Sequence, residues 1–294
     1  MSDDRIPVLL DTDLGDDIDD AWALSVCINH PRINLVGVTT VWRDSVLRAA
    51  QGRLLLEKAG TPEVPVAAGT RDALDRALDF PRNCQADVLS AEDEARLREG
   101  RTDAIRFMAE MAESTPGLVL LPIGPLTSVA RFILEFPESF AKIERIVIMG
   151  GHIMPDRAQP EYNVVCDPRA SKIVFGCGKP ITMIGLDVTL KCQMVPSDLE
   201  AINAKGTPLA KAILCMTELW QGGPDGQRKK SMPIVHDPLA ALAVVEPDIV
   251  QCEKLNIDID EKGNCVVGSG PANALVAQGV DPVRVRARVV ELIG

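Results

Sequence analysis

The chain carries no basic tract longer than Arg228-Lys229-Lys230, and acidic residues outnumber basic ones 42 to 31, for a net charge of −11. A surface that neutralises phosphates needs clustered Lys and Arg, so nucleic acid and anionic membrane are excluded as partners. Aromatic residues are scarce, with six Phe, three Trp and one Tyr among 294 residues, which excludes a stacking platform for single-stranded nucleic acid. Long hydrophobic runs are absent too. The stretch from Pro7 to Leu10 is too short for a signal segment or a membrane span, and a cytoplasmic location is expected. The eight cysteines, at 27, 84, 166, 177, 192, 215, 252 and 265, include no C-x-x-C pair or other zinc spacing and read as reduced core thiols.

What is present is an ordinary globular composition, 46% hydrophobic and 25% charged, in a chain long enough to bury its core without disulfides or metal. Short Val- and Ile-rich runs recur at Val8–Leu10, Ile33–Thr39, Val64–Ala67, Leu118–Ile123, Ile146–Met149 and Ile181–Leu186. Helical patterns lie between them at 18–29, 45–59, 103–114, 126–135 and 168–175. This alternation predicts an α/β fold with an open, mostly parallel central sheet flanked by helices. Beyond Leu186 the pattern gives helices at 197–204, 208–221 and 237–245, then β-like runs at 254–260, 264–268 and 285–293. That tail reads as a helical and β-hairpin extension, and with no linker composition before it a single domain over 1–294 is expected. The stretch 70–102 is polar and irregular, as in a lid or functional loop.

The densest chemical signal is Asp11-Thr12-Asp13-Leu14-Gly15-Asp16-Asp17-Ile18-Asp19-Asp20, six carboxylates in ten residues directly after an apolar strand. Acids at a helix start cap free N–H groups, but one or two suffice for that. Six crowded carboxylates repel and raise one another's pKa unless a cation neutralises them. With neither His nor Cys in the run, a hard divalent ion, Ca²⁺ or Mg²⁺, fits better than zinc. An EF-hand is excluded, because Gly15 and Asp16 fall where that loop needs an oxygen ligand and a glycine.

Two further foci stand out. In Val235-His236-Asp237-Pro238 the Asp suits an N-cap and the Pro a first helical position, which leaves His236 as a candidate proton donor. His30 and His152 have weaker claims, and His30 reads as a surface residue ending the first helix. Met149-Gly150-Gly151 permits close approach of a ligand, and Glu161 and Asn163, two apart, suit recognition of hydroxyl groups. Asp167-Pro168 reads as a plain helix start.

With these residues together, the chain resembles the inosine-uridine nucleoside hydrolase family, the Ca²⁺-dependent N-ribohydrolases. The resemblance rests on seven ordered motifs: Asp11-Thr12-Asp13-Leu14-Gly15 through Ala21, Thr39-Thr40-Val41, Gly124-Pro125-Leu126-Thr127-Ser128, Met149-Gly150-Gly151, Glu161-Tyr162-Asn163 with Asp167-Pro168, Gly185-Leu186-Asp187-Val188-Thr189, and His236-Asp237. It implies that Asp13, Asp20, Asp237 and the backbone carbonyl of Ile123 bind Ca²⁺. It further implies that Asp19 is the base acting on water, that Glu161 and Asn163 hold ribose hydroxyls, and that His236 stands near the leaving base. Two residues are inserted between Gly15 and the acidic pair; Asp19-Asp20-Ala21 is the preferred register, with Asp17 the alternative. The family's Gly-Asn after Thr-Thr-Val is Arg43-Asp44 here, which makes Asp44 a substrate-binding candidate and brings charge of both signs near the ribose.

The implied reaction is hydrolysis of a free ribonucleoside to base and ribose, by a homodimer or homotetramer. An N-glycosidic bond breaks through an oxocarbenium-like state that nearby carboxylates stabilise. Two other readings remain: a ribose- or nucleoside-binding protein without turnover on the same fold, and a Mg²⁺-dependent phosphatase of the haloacid-dehalogenase type. The second fits Asp11-Thr12-Asp13 but lacks a late acidic pair.

Overall fold

The computed structural model describes residues 4–222 and 231–294. Nine strands form one sheet: β1 (Ile6–Thr12), β2 (Ile33–Thr40), β3 (Val66–Ala68), β4 (Val119–Pro122), β5 (Arg145–Met149), β6 (Ile181–Ile184), β7 (Val250–Ile259), β8 (Cys265–Gly268) and β9 (Ala274–Val280). Their order is β3-β2-β1-β4-β5-β6-β9-β7-β8. Every pairing from β3 across to β9 is parallel, while β7 runs antiparallel to β9 and to β8. The six strands expected before residue 187 are all present, and the C-terminal strands extend the same sheet.

Period-two alternation divides the core. Val8 and Leu10 of β1 pack into one buried cluster with α1 (Asp19–Asn29) and the helices at His236–Val245 and Pro282–Leu292, while Leu9 joins the opposite cluster with the helices at Ala104–Ser114, Thr127–Glu135 and Pro168–Phe175. Both sheet faces are therefore covered, which is why the parallel strands read as continuous apolar runs.

The chain leaves β1 first for β2 on one side and later for β4 on the other. A crevice opens at the carboxyl ends of strands where the order reverses, and ligands of open α/β sheets bind there. Here it lies between the end of β1, which runs into the acidic segment, and Ile123 just after β4.

Two expectations need correction. The run 285–293 is not a strand but part of the helix Pro282–Leu292. Val283-Arg284-Val285-Arg286-Ala287-Arg288-Val289 alternates like a strand, but Asp281 caps the segment by accepting from the Val283 and Arg284 amides (3.0 and 3.2 Å), and Pro282 occupies the first turn. Helical spacing then buries Val285, Val289 and Leu292 together. The strand that closes the hairpin is Ala274–Val280, which lacks clean alternation. The cysteines are all free, but only Cys27, Cys166 and Cys192 are buried, and Cys215 and Cys252 are exposed rather than core residues.

The stretch 70–102 holds a short 3-10 turn (Ala86–Val88) and a helix (Ala91–Leu97) capped by Ser90, and it packs on α2 (Ser45–Ala59) through Ala86, Leu89 and Leu97.

The C-terminal assignment makes a testable distinction. Val289→Asp should lower stability by about 3 kcal/mol or more, as burial of an unpaired charge does, whereas Ala287→Asp should stay within about 0.5 kcal/mol. A strand would put 285, 287 and 289 on one face and make both costly, so chemical denaturation of the two variants separates the alternatives.

Candidate active site

The acidic segment is held from three sides. Gly15 adopts φ +122°, and a Cβ there would meet the Asn83 side chain at 2.4 Å and Gln51 Oε1 at 2.7 Å, so the turn requires glycine. Asn83 and Gln51 exchange amide hydrogen bonds of 2.8 and 3.1 Å, and Gln85 donates to the Asp17 carbonyl at 2.5 Å. Arg48 of α2, fully buried, donates to the carbonyls of Trp42 and Leu14 (both 2.9 Å) and of Asp13, and to Asp16 Oδ2 at 2.7 Å. One guanidinium thus fixes the backbone from Asp13 to Asp16.

The two inserted residues are absorbed in this turn. Asp16 pairs with Arg48, Asp17 stays exposed, and Asp19 and Asp20 open α1, both buried. One carboxylate oxygen from each of Asp19, Asp20 and Asp237 lies within 4.8 Å of the others. Asp237 is not the N-cap expected of it: the helix starts at His236, so Asp237 sits in its first turn, its backbone N–H donating to Asp19 Oδ2 at 3.1 Å. The Thr12 hydroxyl donates to Asp20.

Asp13 stands outside that group of three but acts electrostatically on all its members. Burial and then like-charge repulsion hold Asp19, Asp20 and Asp237 well above the usual carboxylate range. Burial also pushes Asp13 up to about 7, against the opposing charge of Arg48, and Asp11 to about 8, against a 2.7 Å bond from Thr39.

Asp13, Asp19, Asp20 and Asp237 open into a cavity of about 1100 Å³ that is also lined by Ile123, Glu161, Asn163 and His236. Glu161 caps the helix Tyr162–Cys166, accepting from the Asn163 and Val164 amides (2.8 and 3.1 Å) and from the Gly151 amide (2.9 Å). Burial outweighs these bonds and raises its pKa. Asn163 donates to the Ile123 carbonyl at 2.7 Å and the Met149 carbonyl at 3.2 Å, tying together the ends of β4 and β5. His236 Nδ1 lies 2.7 Å from the Thr189 hydroxyl. Burial drives its pKa down to about 4, so the ring is neutral at pH 7.

Asp44 is not brought to the cavity. It caps α2, accepting from the Leu47 amide at 3.0 Å, and pairs with Arg98 at 3.0 Å. Its neighbour Arg43 lines the cavity instead. His30 is not on the surface but buried at the end of α1, 3.0 Å from Glu246. Asp167 caps its helix as expected, accepting from the Ala170 amide at 3.0 Å, and its other carboxylate oxygen accepts from the Leu74 amide and the Thr127 hydroxyl, both at 2.8 Å.

The sequence reading missed Arg48, Arg82, Arg157 and Tyr162 as neighbours of the site, while the Arg43 charge it expected near the ribose does line the cavity. Trp42 and Arg43 both have left-handed backbones, φ +75° and +54°. That conformation costs a non-glycine residue roughly 1–2 kcal/mol. The one available signal was the Gly-Asn of the family pattern, which has glycine at the position of Arg43.

Residues 8–287 match the model of a family described as inosine-uridine preferring nucleoside hydrolase. The chain belongs to that family. It is 32% identical over 299 residues to the pyrimidine-specific ribonucleoside hydrolase RihA of Shewanella sp. (strain MR-7), covering 94% of this chain and 92% of the relative. Against uridine nucleosidase 1 of Arabidopsis thaliana it is 34% identical over 275 residues, covering 88% and 80%. A solved purine-preferring ribonucleoside hydrolase from Gardnerella vaginalis superposes with a TM-score of 0.80 at 27% identity, over 97% of this chain and 98% of that one.

The donor set of this family member suits a hard divalent cation. It is all oxygen, buried and densely anionic, and Arg48, the buried cation beside it, is already committed to Asp13, Leu14, Trp42 and Asp16. Stability should report this. In the unfolded chain Asp11 and Asp13 lose their protons near 3.8, while in the folded chain they keep them to about 8 and 7. The folded state binds more protons between those values, so stability without metal must fall as pH rises from about 4 to 8. In chelator, the melting temperature is expected to drop from pH 5 to pH 8. Excess Ca²⁺ should raise it, more at pH 8 than at pH 5, and a melting temperature indifferent to Ca²⁺, Mg²⁺ and Mn²⁺ at pH 8 would contradict a cation site.

Proposed function

We propose that this protein hydrolyses the N-glycosidic bond of free ribonucleosides with Ca²⁺ as its cation, pyrimidine nucleosides such as uridine being the first substrates to test. The observation that carries the reading is the buried cluster Asp19–Asp20–Asp237, with Asp13 beside it, at the carboxyl end of β1. The pyrimidine preference is taken from the named relatives. A cytoplasmic homodimer or homotetramer completes the reading, on the strength of the family resemblance.

Asp13, Asp20, Asp237 and the Ile123 carbonyl would hold the ion. Bound there, Ca²⁺ would lower the pKa of a coordinated water and orient ribose hydroxyls. Asp19 takes the proton from the attacking water; the Asp237 amide holds its Oδ2 and so fixes the carboxylate's orientation. Glu161 and Asn163, which line the same cavity, hold the ribose hydroxyls. As the base departs with the bonding electrons, positive charge develops on the sugar, and the surrounding carboxylates stabilise it without having to reorganise. His236, neutral and set by Thr189, offers the departing base a ring N–H hydrogen bond, and the base takes up through solvent the proton that Asp19 removed from water, so that neutral base and ribose leave. Asp44 is withdrawn from the substrate-binding set, because its carboxylate is occupied by the α2 amide and Arg98.

Ribose release from uridine, cytidine, inosine and adenosine, with and without chelator, tests the reaction. Chelator-sensitive release is expected. Asp19→Asn should lower kcat by about a hundred-fold or more, as loss of a general base does, while keeping the Ca²⁺-dependent rise in melting temperature. Asp237→Ala should lose both. If Asp19→Asn also abolishes the Ca²⁺ effect, Asp19 is a ligand and not the base. If no nucleoside is cleaved but ribose still stabilises the protein in Ca²⁺, the binding-protein reading replaces this one.

A further inference from the structure

His236 is held by the protein through one ring nitrogen only. Nδ1 lies 2.7 Å from the Thr189 hydroxyl, whereas Nε2 makes no hydrogen bond among the described residues, and Asp17 and Arg157 reach the ring only through their charge. The contact with Thr189 is built into the backbone. Thr189 ends the short helix Leu186–Thr189, and the chain just after it pairs antiparallel with the chain just before His236. The Val235 amide donates to the Cys192 carbonyl at 3.0 Å and the Met194 amide to the Pro233 carbonyl at 2.8 Å, so hydroxyl and ring are carried on two segments that are hydrogen-bonded to each other.

The direction of this hydrogen bond decides what His236 can do. Thr189 is fully buried, and a buried hydroxyl whose proton finds no acceptor forfeits a hydrogen bond. A helical threonine can hand that proton to the carbonyl four residues back. Here the Gly185 carbonyl already accepts from the amides of Val188 and Thr189, both at 3.2 Å, and among the described residues Nδ1 is the sole partner of the Thr189 hydroxyl. If Nδ1 carried a proton it would donate to Oγ1, and the hydroxyl proton would be left unpaired in the core. With Thr189 as the donor, Nδ1 presents its lone pair, and the one proton of the neutral ring sits on Nε2.

We propose that Thr189 is a positioning residue: its hydroxyl donates to His236 Nδ1, keeps the ring proton on Nε2, and so makes His236 a hydrogen-bond donor, not an acceptor, toward the departing base. This deepens, and rests on, the reading above that seats the leaving base beside His236. As the glycosidic bond breaks, its electrons pass to the base. An N–H directed at that growing negative charge favours departure, whereas the lone pair of the other tautomer would oppose it. Thr189 is not part of the cavity wall that His236 lines, so its effect passes through the ring.

Nitrogen-15 NMR of histidine-labelled protein in Ca²⁺ reads the tautomer without depending on turnover, since protonated and bare ring nitrogens resonate far apart and the chain has only three histidines. At pH 7 without substrate, the signals missing from His236→Gln should show a bare Nδ1 and a protonated Nε2. Thr189→Val, which keeps the shape and removes the hydroxyl, should shift the ring toward the Nδ1–H form and lower kcat for uridine about ten-fold, with KM within about two-fold of wild type. Thr189→Ser, which returns the hydroxyl, should restore the tautomer and most of kcat. A wild-type ring protonated on Nδ1 would overturn the proposal. So would a fall in kcat in Thr189→Val with the tautomer unaltered, which would make Thr189 a packing residue, or a shifted tautomer with wild-type kcat, which would make the ring proton irrelevant to departure. If the wild-type protein cleaves no nucleoside, the proposed reaction fails, while the NMR signals still decide what Thr189 does to the ring.

Discussion

Six carboxyl groups, those of Asp11, Asp13, Asp19, Asp20, Glu161 and Asp237, are buried at one end of the sheet, and the arrangement of everything near them follows from the cost of putting them there. Ionised together without compensation they would oppose folding, because burial and mutual repulsion both act against the charged form. The protein meets this cost in part with Arg48, whose guanidinium binds the acidic turn at three points, and with backbone amides directed at Glu161 and Asp19. The remaining charge is what would give the site affinity for a hard cation. A fully compensated cluster would be more stable and chemically inert.

Topology makes such a concentration possible. β1 lies between β2 and β4 at the point where the strand order reverses, so the chain after β1 faces an open crevice instead of a neighbouring crossover. Asp237 arrives from a helix more than two hundred residues later in the sequence, and the Ile123 carbonyl from the end of the adjacent strand. Asn163 ties β4 to β5 by donating to two strand-end carbonyls, so the group proposed to hold the sugar also fixes the spacing of the crevice walls. The 83–85 segment is similarly double in purpose: Asn83 fills the space that Gly15 leaves and Gln85 restrains the Asp17 carbonyl, while Arg82 reaches the rim.

Much of this was legible in the residue order. Parallel strands buried on both faces leave uninterrupted Val and Ile runs, and Ile6–Thr12 through Ile181–Ile184 stand where those runs lie. The acidic cluster was visible because a helix start has no local use for so many acids. The C-terminal helix was misread because Arg and Val alternate along it with period two; its Asp281-Pro282 start, which decides for the helix, is a weaker local signal. His30 looked exposed because its partner, Glu246, is contributed by a segment far along the chain.

Chain order alone settled the sheet, its flanking helices and the presence of a dense carboxylate site after the first strand, since each depends on periodicity or on composition within a short window. Tertiary structure alone decided which acids converge. It placed Asp19 within 4.8 Å of Asp20 and Asp237, turned Asp44 away to cap α2, and set Arg43 into the cavity on a left-handed backbone. The physical reason is one of range: capping and alternation are settled between near neighbours, whereas the direction of a buried charge is settled by which distant group can compensate it.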